Sequence, residues 1–156
     1  MMLKSKQPEI VKKKINIAIK NLMDGHSCSE AVLVAYSSQL GLKRESAFKI
    51  ASGFGGGMGW MGETCGAVTA AYMVIGLKYG AISVKDSYSR EFTHDAVARF
   101  TDLFRERNGS TLCRDLIGGI DMSSVEGRKQ IREKGRVPQI VSDAIIVLEM
   151  LFTENK

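Results

Sequence analysis

Residues 65–78 read CGAVTAAYMVIGLK, which places apolar side chains on nearly every side of the helix that this segment would form. A helix that is apolar all round is normally buried, so we predict that this segment is the central helix of the fold. Thr64 is its predicted N-cap. Residues 53–62 read GFGGGMGWMG, and six glycines in ten positions predict a loop directly before the central helix.

Helical periodicity continues from this segment in both directions. Apolar residues recur three and four positions apart, and S-x-x-E, Asn-Gly and Gly-Gly signals mark the helix ends. No segment alternates apolar and polar residues between turn signals. We therefore expect an all-α bundle that forms a single domain over residues 1–156, with a flexible terminus at 1–6. The other predicted helices span about 8–23, 27–40, 44–52, 84–107, a short turn at 113–117, 123–134 and 138–151.

The bulk properties are those of an ordinary globular protein, with 156 residues, 44% hydrophobic residues and a net charge of +5. The basic residues are scattered, and their one tight run, Lys12-Lys13-Lys14, is interpreted as a solvated helix face, so nucleic-acid binding is not expected. The pattern predicts neither a secretory signal nor a membrane span. We expect a cytoplasmic protein with reduced thiols, and the apolar last helix leaves a homodimer open.

Cys28, Cys65 and Cys113 each fall in the first turn of a predicted helix. The unpaired N–H groups and the helix dipole at that end stabilise a thiolate, which lowers the thiol pKa and activates the sulfur. We therefore predict these three cysteines as the catalytic residues. The alternative is that each is a small buried hydrophobe. The predicted caps before them are, in order, Ser27 (in a capping box with Glu30), Thr64, and Ser110 or Thr111.

Thiolates also bind metals, and the same cysteines could hold zinc, copper(I) or an iron–sulfur cluster. Such sites normally have four protein ligands, and His26, two residues before Cys28, is the nearest candidate for the fourth. No C-x-x-C or C-x-x-C-H sequence is present, so distant segments would have to assemble the site. This alternative predicts a protein that binds a metal, an iron–sulfur cluster or a haem-type cofactor without turnover, with the metal ligands Cys28, Cys65, Cys113 and His26.

Gly55, Gly56 and Gly57 are the candidate cofactor-binding residues, because glycine-rich loops can hold phosphate groups with their backbone N–H groups. The match to a nucleotide-binding loop is poor, since a helix precedes it and no Gly-Lys-Ser/Thr ending follows. The opposing interpretation is a tight connection whose backbone approaches the central helix. The apolar loop residues that would then cover the cysteine site, or form a patch for a partner, are Met58, Trp60 and Met61.

Five segments of the chain resemble one known family. They are SCSEAVL at 27–33, GFGGGMG at 53–59, CGAVTA at 65–70, GLKYG at 76–80 and CRDLIG at 113–118. Together they are similar to a redox-active cysteine protein family with a Cys-Gly-Ala-x-x-Gly motif and four characteristic cysteines, and the resemblance covers about residues 25–151. It implies that Cys28, Cys65 and Cys113 are the first three family cysteines. Ala70 replaces the last glycine of the motif, and Val137 stands where the fourth cysteine is expected.

The resemblance and the cysteines at helix starts together favour a thiol-based redox-active protein. In this hypothesis Cys28 and Cys65 cycle between dithiol and disulfide with an unidentified redox partner, and Cys113 is a third, resolving or accessory thiol. Turnover of the thiol–disulfide oxidoreductase type is left open. So are the cofactor-binding alternative and a helical scaffold or interaction protein in which the cysteines are incidental.

Overall fold

The computed structural model describes residues 8–134 and 136–156, in which eight α-helices, one 3-10 helix and no strand are present. The all-α prediction is confirmed, and the terminus predicted at 1–6 lies outside the described residues. None of these helices is long and apolar enough to cross a lipid bilayer. The α-helices are α1 (Glu9–Met23), α2 (Cys28–Ser37), α3 (Arg44–Ala51), α4 (Gly66–Tyr79), α5 (Ser87–Asn108), α6 (Cys113–Leu116), α7 (Val125–Lys134) and α8 (Arg136–Glu154), and the 3-10 helix is Ser52–Phe54.

The central position of α4 is confirmed. It packs against α2, α5 and α8, and small or branched side chains on its different sides, such as Ala67, Ala71 and Val74, are completely buried. The apolar face of α8, which includes Ile145 and Leu148, closes the same core. Burial of this much apolar surface is the dominant stabilisation of the bundle.

Three predicted helix starts are wrong, and in each case the observed helix begins later in the chain than predicted. Cys65 rather than Thr64 is the N-cap of α4, and Leu112 rather than Ser110 or Thr111 is the N-cap of α6. In both cases the predicted cap residues take part in a backbone pairing between two loops, described below, which holds them extended. α5 begins at Ser87 instead of Val84, because the Asp86 side chain caps it by accepting a hydrogen bond of 3.0 Å from Ser89 N.

The lysine run of α1 is not uniformly solvated, which corrects the interpretation of Lys14. Its side chain is buried, its Nζ donates a hydrogen bond of 2.6 Å to Gln39 Oε1, and it lies 4.2 Å from the centroid of the Tyr36 ring. The Tyr36 hydroxyl in turn donates to Glu149 at 2.9 Å. A polar network therefore joins α1, α2 and α8 at the edge of the core.

Candidate functional site

Cys28 is the first residue of α2, as the capping signal predicted. Ser27 Oγ accepts a hydrogen bond from Glu30 N, and Ser27 N donates to the Glu30 carboxylate, each at 3.4 Å. Ser29 next to it is completely buried and donates through its hydroxyl to Ala51 O at 2.8 Å. The capping box thus fixes the position of Cys28, whose side chain packs against the main core.

Cys65 and Cys113 are held beside each other by a short antiparallel backbone pairing. Cys65 N donates to Thr111 O at 2.8 Å, and Cys113 N donates to Glu63 O at 2.7 Å. Thr64 and Leu112 face each other between these two bonds as an isolated β-bridge. The two cysteines therefore stand at the starts of α4 and α6 on segments that are locked together before either helix begins.

The glycine loop brings the remaining helix start to this pair. A Cβ atom added at Gly57 would lie 2.6 Å from Cys113 Cβ, and one at Gly55 would lie 2.7 Å from Ser27 Cβ. A Cβ at Gly66, the first residue of α4, would lie 3.0 Å from Ser29 N. Only glycine permits approaches this close. The loop and Gly66 together bring the starts of α2, α4 and α6, and with them all three cysteines, into one region.

Burial raises the pKa of all three thiols, which corrects the expectation that the helix starts would lower it. The pKa of Cys65 rises to about 11, although the N–H groups of Ala67 and Val68 at the start of α4 partly oppose the effect of burial. Burial also raises the pKa of Cys113, and it raises that of Cys28 well above its ordinary value. Loss of hydration disfavours the thiolate more strongly than the helix start favours it. At neutral pH the site is a cluster of protonated thiols.

The three sulfur atoms are also close enough to influence one another electrostatically. A thiolate at Cys65, and to a smaller extent one at Cys113, would raise the pKa of Cys28 further, and a thiolate at Cys113 would raise that of Cys65. Poor hydration strengthens this repulsion between like charges. All three cysteines are present as free thiols.

Residues 26–151 match the family described as "Putative redox-active protein (C_GCAxxG_C_C)". The chain belongs to this family. No curated protein and no solved structure matches the chain. The family description indicates a redox character and names no reaction.

The His26 side chain contacts Glu30 and Phe48. Its Nδ1 lies 2.5 Å from Glu30 Oε2, and its ring stacks on Phe48 with centroids 4.1 Å apart. Among the described residues, no group of three or more histidine, cysteine, aspartate or glutamate side chains is arranged to hold a metal ion. The predicted ligand set of Cys28, Cys65, Cys113 and His26 gains no support from this arrangement.

The glycines predicted to bind a cofactor make their closest approaches to the protein itself. Gly55 lies against Ser27, Gly57 lies against Cys113, and a Cβ at Gly56 would lie 2.5 Å from Cδ1 of the Trp60 ring. These contacts favour the opposing interpretation, a tight connection that positions neighbouring elements. The connection reaches the start of α6 as well as α4, which the sequence did not indicate.

Sequence reasoning missed the role of Arg114, and it singled out Val137 without indicating what that residue contacts. Arg114 connects α6 to the loop, because its Nε donates to Gly62 O at 3.0 Å and its Nη2 pairs with Glu63. Val137, at the position where the family has its fourth cysteine, packs against a small outer cluster formed by Cys113, Ile117 and Ile131. Both contacts join residues far apart in the chain and have no local signal, except that the missing cysteine drew attention to Val137.

Proposed function

We propose that this family member is a thiol-based redox-active protein in which Cys28 and Cys65 cycle between dithiol and disulfide, with Cys113 as a third, accessory thiol. The observation that carries the proposal is the convergence of three helix starts, each bearing a free thiol, within electrostatic range under one glycine loop. Thiol–disulfide exchange requires thiols from distant segments to share one site, as these three do.

The reaction balances as a thiol–disulfide exchange with a partner disulfide. A thiolate of the protein attacks one sulfur of the partner, a mixed disulfide forms, and the other partner sulfur leaves as a thiolate and takes up the released proton. A second thiolate of the protein then displaces the partner, so that the partner gains two electrons and two protons and the protein gains one disulfide. The direct acceptor is thus a disulfide, and no metal is required.

The high thiol pKa values have a consequence for the rate of this exchange. Because the thiolate is the attacking form, protonated and buried thiols react slowly in the closed structure. Exchange then requires a local opening of the loop or of the helix starts, a motion that needs less free energy than global unfolding. The protein would therefore keep its thiols reduced until a partner or an opening exposes them.

The test is to count free thiols on native protein equilibrated in mixtures of reduced and oxidised glutathione, with peptide mapping of any bond formed. Wild type is expected to fall from three free thiols to one as the mixture becomes more oxidising, with Cys28 linked to Cys65. Cys113→Ala should still form that bond, while Cys28→Ala and Cys65→Ala should not. Three free thiols in every mixture would refute the proposal, and elemental analysis showing a stoichiometric metal that these variants lose would favour the cofactor-binding alternative instead.

A fourth thiol at the family position should couple to the same site. In Val137→Cys the new thiol would join the cluster around Cys113, so we expect the oxidised variant to retain no free thiol where wild type retains one. Val125→Cys, on the exposed surface of α7, is the matched control and should retain two free thiols. If Val137→Cys behaves like Val125→Cys under thiol counting and peptide mapping, position 137 is not part of the redox site.

A further inference from the structure

The outer face of the glycine loop displays an apolar surface that the protein leaves uncovered. Trp60 is 52% exposed and Met61 is 67% exposed, although Gly55 and Gly57 shortly before them are buried. Large apolar side chains that stand together on a surface are characteristic of contact sites. We call the surface formed by Trp60, Met61 and Arg128 the loop face.

The backbone of the loop holds these side chains outward at an energetic cost. Met58 and Trp60 have φ values of +61° and +65°, and Gly56, Gly57 and Gly59 between and before them have positive φ as well. A left-handed conformation costs about 1 to 2 kcal/mol for each residue other than glycine. Bonds from Met58 N to Phe54 O at 3.0 Å and from Trp60 N to Gly55 O at 3.2 Å maintain the turn. Such strain is typically retained where it serves function.

Arg128 fixes one side of the tryptophan ring and adds a positive charge. Its guanidinium lies 3.9 Å from the ring centroid and is oriented by bonds from Nη1 to Met122 O and Ser123 O at 2.9 and 2.8 Å. No carboxylate of the described residues forms an ion pair with it, although its charge helps to lower the pKa of Asp121, which hydrogen bonds from Ser123 lower more strongly. Tryptophan, methionine and arginine are the residues enriched at the centres of protein interfaces. The composition and the charge therefore fit a polypeptide that combines apolar and acidic side chains.

The loop that carries the loop face also contacts one of the three thiols. Gly57 lies against Cys113, and Gly62, the residue after Met61, lies against Cβ of Arg114, the residue after that cysteine. Cys65 belongs to the main core and the partly exposed Cys28 packs against it, whereas the buried Cys113 belongs to the separate small cluster that Gly57 contacts. Among the three thiols, a molecule bound on the loop face would thus lie nearest to Cys113.

We propose that the loop face docks an acidic, apolar-flanked polypeptide segment of a redox partner and presents the disulfide of that segment to Cys113. This inference rests on the proposed function. Cys113 attacks one partner sulfur, and the other partner sulfur leaves as a thiolate and is protonated. Cys65 then attacks Cys113, which releases the partner's second thiol, and Cys28 attacks Cys65, which leaves the Cys28–Cys65 disulfide and returns Cys113 to the thiol form.

Docking can be measured without any redox step, because Trp60 is the one tryptophan of the chain and its fluorescence reports on the loop face. The probe is a short peptide with aspartate, glutamate, phenylalanine and leucine around a serine that replaces cysteine. A second peptide carries lysine in place of each acidic residue. The acidic peptide is expected to bind at least ~10-fold more tightly than the basic one, with an affinity that falls as salt is added.

Two variants on the loop face and two matched controls decide the result. Arg128→Gln and Met61→Ser should each weaken binding of the acidic peptide by about 10-fold, as expected for central interface residues. The controls Arg90→Gln and Val84→Ser change exposed residues at the opposite end of α4, about 20 Å away, and should bind like wild type. Equal binding of both peptides, or equal losses in all four variants, would overturn the proposal. The peptide has no thiol, so its binding tests docking alone. Formation of the Cys28–Cys65 disulfide in the glutathione mixtures tests the proposed function separately.

Discussion

Gly57→Ala is expected to destabilise the protein by about 2 to 5 kcal/mol, the largest effect we anticipate for any single methyl group in the loop. Gly57 has a φ of +70°, which disfavours alanine, and the added Cβ would lie 2.6 Å from Cys113 Cβ and 2.7 Å from Glu63 N. The second of these atoms is backbone that cannot rotate away. Urea unfolding at pH 7 under reducing conditions measures the loss directly.

Gly59→Ala is the matched control for this substitution. Gly59 has a φ of +59°, yet a Cβ there would meet nothing within 4 Å, so the change carries the backbone strain without the collision. We expect a loss of about 1 to 2 kcal/mol. If the two variants unfold at the same urea concentration, the contact between Gly57 and Cys113 does not constrain the site in the way that we describe.

The second large effect concerns the rate at which Cys65 is alkylated. We expect this rate to be low at neutral pH and to rise strongly with pH. A pKa of about 11 against an ordinary value of 9.0 leaves the thiolate ~100-fold less populated at pH 7 than in the unfolded chain. The rate with iodoacetamide, followed by mass spectrometry, should therefore be at least ~100-fold lower in native protein and rise about 10-fold per pH unit up to about pH 10. A rate that levels off below pH 8 would show a lowered pKa and would contradict this result.

The same titration has a consequence for stability, and Cys65→Ala isolates it. Because the folded pKa lies above the unfolded value, the protonated thiol stabilises the fold fully below about pH 9, and this stabilisation is lost as the pH rises toward 11. Two pH units correspond to about 3 kcal/mol in all, of which about 2 kcal/mol is lost by pH 11. The free energy of unfolding of wild type should therefore fall by about 2 kcal/mol more than that of Cys65→Ala between pH 8.5 and 11. Tyr36 titrates with the same sign and is common to both proteins.

Local signals predicted most of the helical architecture. Periodicity together with cap and stop signals located the α-helices of the described chain, and the all-round apolar character of 65–78 identified α4 as central. The capping box at Ser27 and Glu30 was correct because both of its hydrogen bonds join residues three positions apart. The cap at Thr64 was wrong, because a bond from Cys65 N to Thr111 O, across 46 positions, keeps this segment extended.

The sequence predicted which cysteines form the candidate site, but it did not predict the direction in which their thiol pKa values shift. Cysteines at three helix starts, and their resemblance to the family, were visible in the sequence. The direction of their pKa shifts was not, since it depends on how much water the folded chain excludes from each sulfur. The burial of Lys14 was not predicted for a similar reason, because its contacts with Tyr36 and Gln39 arise from the packing of α1 on α2.

The helices, the glycine-rich connection and the three thiols follow from local sequence, because propensity, periodicity and capping act within a few residues along the chain. The contact of Gly57 with Cys113, the place of Val137 in the same cluster and the raised thiol pKa values arise from packing between remote segments. Those outcomes depend on distances between segments that are remote in the chain. Close packing and loss of hydration act through space, and neither leaves a local pattern in the order of residues.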